Sequence, residues 1–184
     1  MIVRRKDSRT LILDWASGVR CALGAGTLLC RSPGEKAFRS FPGQDSMWTP
    51  EAGLRICRLR TCGRDIFCVE AENLRLLFAP SPCENSGSAG GRERGDILVL
   101  SLGQSREDTL EARELCAALS PRIILPLEEP GEGQNLADFL HLFPEKTEEL
   151  QLLRVTQEDL ACQMRVARIC GVRGQNGHPA ECFR

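Results

Sequence analysis

Apolar positions recur most regularly between Gly95 and Asp159. Ile97 to Leu100 is an unbroken apolar run, entered through Gly95 and Asp96 and left through Gly103. So short a run without polar alternation predicts a strand buried on both faces, as in a parallel sheet under helices. The period then changes. Ala112, Leu115, Cys116 and Leu119 fall at helical spacing and define one buried face. Ser105 is placed to cap this helix, with Asp108 completing a capping box. Glu107 and Asp108 set negative charge against the positive end of the helix dipole. Ser120 precedes Pro121, and a residue before proline avoids the helical region, so the helix stops there.

Arg122 to Leu127 predicts a second strand centred on Ile123, Ile124 and Leu125. Leu136, Phe139, Leu140 and Phe143 repeat the helical spacing, with Asn135 placed to cap and Pro144 to close. Leu150 to Val155 predicts a third strand, and Thr156 to Asp159 the cap of one more helical turn. The order strand, helix, strand, helix, strand implies parallel strands joined by right-handed crossovers.

The first 82 residues read mostly as β-structure. Met1–Arg4 and Thr10–Leu13 predict a hairpin around Lys6, Asp7 and Ser8. Thr27–Cys30 is a short buried strand ending in a loop, and Phe41–Gly43 is a turn. Leu54 to Leu59 alternates apolar and basic residues, as a half-exposed strand does. Ile66–Val69 and Leu74–Phe78 flank the polar tip Ala71, Glu72, Asn73, which predicts a second hairpin. Pro80 to Arg94, rich in Gly, Ser and Pro, is a loop. Its glycines are no phosphate cradle, because no lysine-serine pair and no helix follow directly. Met164 to Ile169 predicts a last strand. Residues 1–170 form one domain in this reading, with 171–184 as a flexible tail.

Composition narrows the function classes. A chain of 184 residues with 42% hydrophobic residues and a formal charge of −1 is an ordinary globular composition. A near-neutral balance argues against nucleic acid as the main partner. No apolar run approaches the ~20 residues of a membrane helix, and LILDW is too short for a signal peptide. The simplest location is the cytoplasm, with no nucleic-acid or membrane partner and with a protein partner or homo-oligomer left open. The ten cysteines include no C-x-x-C pair. Several sit inside strand or helix patterns, so they are expected as reduced core thiols.

From about Thr10 to Asp159, and most specifically in its second half, the chain resembles the metallo-β-lactamase fold, in the branch similar to ascorbate-6-phosphate lactonases and small metal-dependent hydrolases. The carrying residues are Asp96–Gly103, a strand ending in glycine; Asp108–Ala112, like the family's Asp-Ala-Glu-Ala helix start; and Pro121–Leu127, like its Pro-Lys-hydrophobic-Ile-Pro-Met-His strand. Leu11–Asp14 resembles the family's strand ending in Asp-Pro, and Phe41–Gly43 its Gly-Pro-Gly-Glu turn. Ile66–Phe78 resembles the hairpin before its bridging aspartate. The resemblance implies an α/β fold: an αββα sandwich of two mixed β-sheets with outer helices, short at its N-terminus, and with a βαβαβ C-terminal half.

It also implies metal-dependent hydrolysis, which takes a His-x-His-x-Asp-His loop, two later histidines and a bridging aspartate. Only His141 and His178 are present. The loop matching the ligand motif reads Arg31 to Lys36, where Glu35 alone could ligate. The aspartate position offers Ser81, and the last histidine is replaced by Glu128. Arg31, Glu35, Ser81 and Glu128 are therefore the residues expected around the ancestral cleft. The expectation is a scaffold without catalytic residues, metal or cofactor, serving a binding or structural role. The alternative is a zinc or manganese hydrolase with an altered ligand set drawn from Cys30, Glu35, Ser81, Cys83 and Glu128. His141 is expected on the solvent face of its helix and His178 in the tail. Glu128, Glu129 and Glu132 form an acidic loop at a strand's carboxyl end, where parallel sheets bind ligands.

Overall fold

The computed structural model describes residues 1–7, 10–24, 27–41, 53–61, 64–80, 94–103, 105–127 and 133–170. Two sheets account for most of them. The strands of the first half are β1 (Ile2–Asp7), β2 (Thr10–Asp14), β3 (Arg20–Gly24), β4 (Thr27–Arg31), β5 (Arg39–Ser40), β6 (Arg55–Thr61), β7 (Arg64–Ala71) and β8 (Leu74–Ala79). After these come β9 (Ile97–Ser101), helix α1 (Arg106–Leu119), β10 (Ile123–Leu127) and helix α2 (Gly133–His141). The chain finishes with β11 (Thr147–Leu150), β12 (Leu152–Arg154) and β13 (Arg165–Ile169).

The first sheet has six strands in the order β12-β1-β2-β3-β4-β5, and its described pairings are antiparallel. The second has seven, in the order β11-β13-β10-β9-β8-β7-β6. Among the described residues parallel pairing is confined to this second sheet, where β8, β9, β10, β13 and β11 run the same way, β7 returns antiparallel to β8, and β6 pairs antiparallel with β7. Alternation on the strands separates two cores. Leu11, Leu13, Cys21 and Leu23 from the first sheet meet Val69, Phe78, Val99 and Leu125 from the second. The opposite face of the second sheet, with Leu77, Leu98, Leu100 and Ile124, packs under Ala112, Leu115 and Phe139 of the helices. The layers among the described residues are thus sheet, sheet, helix. The helical layer expected outside the first sheet is not found among them.

Local chemistry explains the elements. The Ser105 hydroxyl accepts from the Asp108 N–H at 3.1 Å, while the Asp108 carboxylate accepts from the Ser105 N–H at 2.8 Å. That is the expected box, and both bonds satisfy donors that a bare helix start leaves open. Ser120 takes the left-handed conformation, φ 47°, and its N–H closes on the Cys116 carbonyl at 3.0 Å. Gly95 is required by packing: a Cβ there would lie 2.6 Å from Leu77 Cγ.

Three sequence expectations change. Arg20–Gly24 is a strand that the apolar pattern does not single out. The third strand expected over Leu150 to Val155 is split. β11 ends at Leu150 on the edge of the second sheet, and β12 pairs Leu153 with Val3 in the first. The strand that lies beside β10 is β13 instead, with Ile124 opposite Val166. Asn135 does not cap α2, which begins at Gly133; its amide donates to the Gly103 carbonyl at 3.0 Å and so ties the second crossover to the first. The turn at Phe41–Gly43, the Pro80–Arg94 loop and the tail 171–184 lie largely or wholly outside the described residues.

Among the described cysteines, Cys21, Cys30, Cys68 and Cys116 are buried and Cys162 is exposed. Cys30 is held above the usual thiol range by the hydrogen bond with Cys21 and then by burial. Cys68 is pushed up to about 12, chiefly by burial and against the pull of Arg75. Thiolate is the reactive form. Brief iodoacetamide treatment of the native protein should therefore alkylate Cys162 and leave Cys21, Cys30, Cys68 and Cys116 unmodified until denaturant is added. Peptide mapping showing equal labelling of Cys162 and Cys30 would contradict the packing described here.

Candidate functional site

The sandwich has two distinct ends. β8, β9 and β10 are in register, with Ala79 opposite Leu100 and Leu127 opposite Ser101. Their carboxyl ends therefore open on one edge, from which α1 and α2 both depart. In parallel sheets the crevice for a ligand lies outside these carboxyl ends. Ser101 is buried there, and Gly103 is held by Asn135. The first sheet reaches this carboxyl end through Arg5, whose guanidinium donates to the Ile169 carbonyl at 3.2 Å. Phe41 reaches it too, with its ring 5.9 Å from that of Phe67, which in turn stacks on Phe78 at 6.2 Å.

The other end is built around the tip of the β7–β8 hairpin. Glu72 and Asn73 are both left-handed, φ 53° and 59°, as a two-residue hairpin turn demands. The Glu72 carboxylate accepts from the Ser17 N–H at 2.8 Å, and the Asn73 carbonyl accepts from the Gln157 amide at 2.6 Å. Ser17 belongs to the turn between β2 and β3. The same turn touches the loop after β4, because a Cβ on Gly18 would meet Pro33 at 3.3 Å.

This decides where Arg31 and Glu35 stand. Both lie at the hairpin-tip end, with Arg31 paired opposite Arg20 at the last step of β4. β8 then runs from that end to Ala79, roughly 16 Å at the rise of an extended strand. Ser81 and Glu128 lie outside the described residues, but the strands leading to them, β8 and β10, end on the carboxyl edge. Arg31 and the turn that carries Glu35 both stand at the hairpin-tip end, apart from that edge. Their side chains are engaged locally. The Arg31 guanidinium lies 5.2 Å from the centroid of the Phe38 ring. The Glu35 carboxylate accepts from the Ser32 N–H at 3.1 Å and pairs with Arg39, which closes its own loop.

The chemistry of these donors does not fit a dication. Glu35 is flanked by Arg31, Lys36 and Arg39. Cys30 points into the inter-sheet core, its sulfur 3.2 Å from that of Cys21. His141 is exposed, as expected, at the last turn of α2, which has by then crossed to the end where β11 starts. Among the described residues no group of three or more His, Cys, Asp or Glu side chains is arranged to hold a metal ion. Glu129, Glu132, Cys83 and His178 lie outside the described residues.

Comparison with known proteins adds one fact about the scaffold. No family model and no curated protein matches the chain. A crystal structure from Thermotoga maritima, classed as a Zn-dependent hydrolase of the metallo-β-lactamase superfamily, matches at a TM-score of 0.55. The alignment covers 92% of this chain and 98% of that one, with 14% sequence identity. The fold is metallo-β-lactamase-like. At that identity the likeness concerns the path of the backbone, and the side chains must be argued from this chain alone. No helix among the described residues is long and apolar enough to cross a membrane. Sequence reasoning reached the fold through the strand-helix-strand pattern. Arg31 and Glu35 stand towards the Ser17 turn because β3, which the apolar pattern does not single out, turns β4 back in that direction.

Proposed function

We propose that this chain keeps a metallo-β-lactamase-like scaffold and works without a catalytic metal, in a binding or structural role. The observation that carries the reading is the position of His141, one of only two histidines in the chain. It stands on solvent at the hairpin-tip end, across the sheet from the edge where β8 and β10 finish. A hydrolytic metal needs imidazole and carboxylate donors converging on one point. Here the describable donors are dispersed, and the carboxylate of Glu35 is already paired with Arg39.

The test is metal content with activity. Protein purified without added metal should hold zinc and manganese far below one ion per chain. Adding either ion should produce no hydrolysis of lactone, thioester or phosphodiester substrates. Near-stoichiometric zinc or manganese, removable by a chelator together with hydrolysis, would establish the altered-ligand hydrolase instead. In that case Cys83→Ala or Glu128→Ala should lower the metal content.

A further inference from the structure

We propose that Cys57 and Cys68 form a redox-responsive dithiol, which a low-molecular-weight disulfide of the glutathione class closes to a cross-strand disulfide. Four of the described cysteines fall in two directly opposed pairs on neighbouring antiparallel strands: Cys21 with Cys30 across β3 and β4, and Cys57 with Cys68 across β6 and β7. Directly opposed residues of an antiparallel ladder have Cα atoms about 4.5 or 5.5 Å apart, and both values fall in the window of roughly 4.4–6.8 Å that a disulfide accepts. Register therefore lets either pair close without a change of strand pairing. In the inner pair the sulfurs stand 3.2 Å apart.

Access and chemistry separate the two pairs. Cys21 and Cys30 are both buried in the core between the sheets, with Leu11, Leu23 and Leu28. A disulfide reagent cannot reach either sulfur in the folded chain. Cys57 is half-buried at the margin of the other core, on β6, the last strand of the seven-stranded sheet. Cys68 is buried beside it, yet its sulfur touches two charged groups. Arg75 Nε donates to that sulfur at 3.3 Å, and the Cys68 thiol donates to Glu70 Oε1 at 3.8 Å. Arg75 also pairs with Glu70 at 3.3 Å, and Arg55 holds the second carboxylate oxygen at the same distance. A thiol reacts as its thiolate, which a neighbouring guanidinium supports.

The exchange runs in two steps, and two electrons pass from the protein to the reagent. The Cys57 sulfur attacks one sulfur of the small disulfide. A mixed disulfide forms on Cys57, and one small thiol leaves with the proton that Cys57 gave up. The Cys68 sulfur then attacks Cys57 Sγ. Its proton goes to Glu70 and on to the second departing thiolate, while Arg75 steadies the charge on sulfur. One protein disulfide and two small thiols result. The new bond pins the edge strand β6 to β7, so the state of the pair is read in how readily that edge opens. The inference uses no residue of the carboxyl edge and does not depend on the metal-free reading.

The test starts from the full chain, fully reduced, held at neutral pH in a series of oxidised and reduced glutathione mixtures, then acid-quenched, alkylated and peptide-mapped. A Cys57–Cys68 disulfide should form in the folded protein and reopen with dithiothreitol, while Cys21 and Cys30 stay as thiols. Cys68→Ala should stop at glutathione on Cys57. Cys57→Ser, at the half-buried position, should leave Cys68 a thiol, and it keeps the test open if Cys68→Ala misfolds. Arg75→Met should slow the second step about threefold, because losing the guanidinium lowers the thiolate fraction more than it raises nucleophilicity, and Arg75→Lys should restore most of the rate. Amide exchange in β6 should slow on oxidation. Absence of the Cys57–Cys68 bond at every ratio, a bond from either residue to Cys62, or equal closure of the Cys21–Cys30 pair overturns the inference. So does a second step as fast in Arg75→Met as in the parent.

Discussion

Phe78→Ala should lower the unfolding free energy by about 3–5 kcal/mol, the usual cost of removing a buried aromatic side chain and leaving a cavity. Phe78 is fully buried on β8, stacked on Phe67, and it lies in the core shared by the two sheets. Its neighbours are strand residues fixed by ladders on both sides, so the cavity has little freedom to collapse. A domain of this kind commands only about 5–15 kcal/mol in all, so this one change removes a large part of it. Urea unfolding followed by circular dichroism should show a lower midpoint with an unchanged slope. Leu110→Ala, on the exposed side of α1, should change stability by no more than about 0.5 kcal/mol. A Phe78→Ala loss as small as that of Leu110→Ala would mean the two sheets do not close on each other.

The elements legible in the sequence are those whose burial is uniform or strictly periodic. Ile97–Leu100 and Ile123–Leu127 are buried at every described step, and an apolar run has no other simple reading. α1 was legible from both termini, because Ser105 and Asp108 carry a cap whose chemistry is local. β3 was not legible. Its residues Arg20 to Gly24 have one charged end, one glycine end and an alanine on the outer face, which match no single template. Its burial comes from pairing with β2 and β4, a non-local fact. The split at Gln151 is hidden for a related reason. Leu150 and Leu152 look like one apolar segment, while the chain changes sheets between them.

The missed strand explains what happened at the candidate site. Counting from Thr27–Cys30 to the next loop is sound in sequence, but the end at which that loop emerges depends on how many strands precede it in the sheet. With β3 present, β4 runs back towards the Ser17 turn, and Pro33 packs against Gly18 there. Arg31 and Glu35 then serve a loop that stabilises itself through Arg39 and Ser32. The common finish of β9 and β10 follows from the crossover through α1, because parallel strands linked by a helix must finish on one side, whereas the parallel pairing of β8 with β9 is seen only in the structure.

Asp96→Ala should cost about 1–3 kcal/mol, the penalty for leaving a part-buried donor without its partner. Asp96 joins the starts of three strands. Its carboxylate accepts from the Arg75 N–H at 2.8 Å, and its own N–H donates to the Arg75 carbonyl at 2.8 Å. Its carbonyl accepts from the N–H groups of Arg122 and Ile123, at 2.9 and 3.0 Å. The backbone bonds survive substitution, so only the carboxylate is being tested. Alanine removes the carboxylate partner of the Arg75 N–H next to the tip of the β7–β8 hairpin. Asparagine keeps an acceptor there and loses only the extra strength of an ionised one, so its cost should be about half that of alanine. Amide exchange offers a local readout: the Arg75 N–H should exchange faster in Asp96→Ala than in the parent, while amides deep in β9 change little. If both variants lose the same stability, the charge rather than the acceptor geometry holds β8 level with β9. If neither loses any, water replaces the carboxylate. In either case the common finish of Ala79, Ser101 and Leu127 must then be credited to the ladder bonds alone, since Asp96 would no longer be what sets the register from which that edge follows.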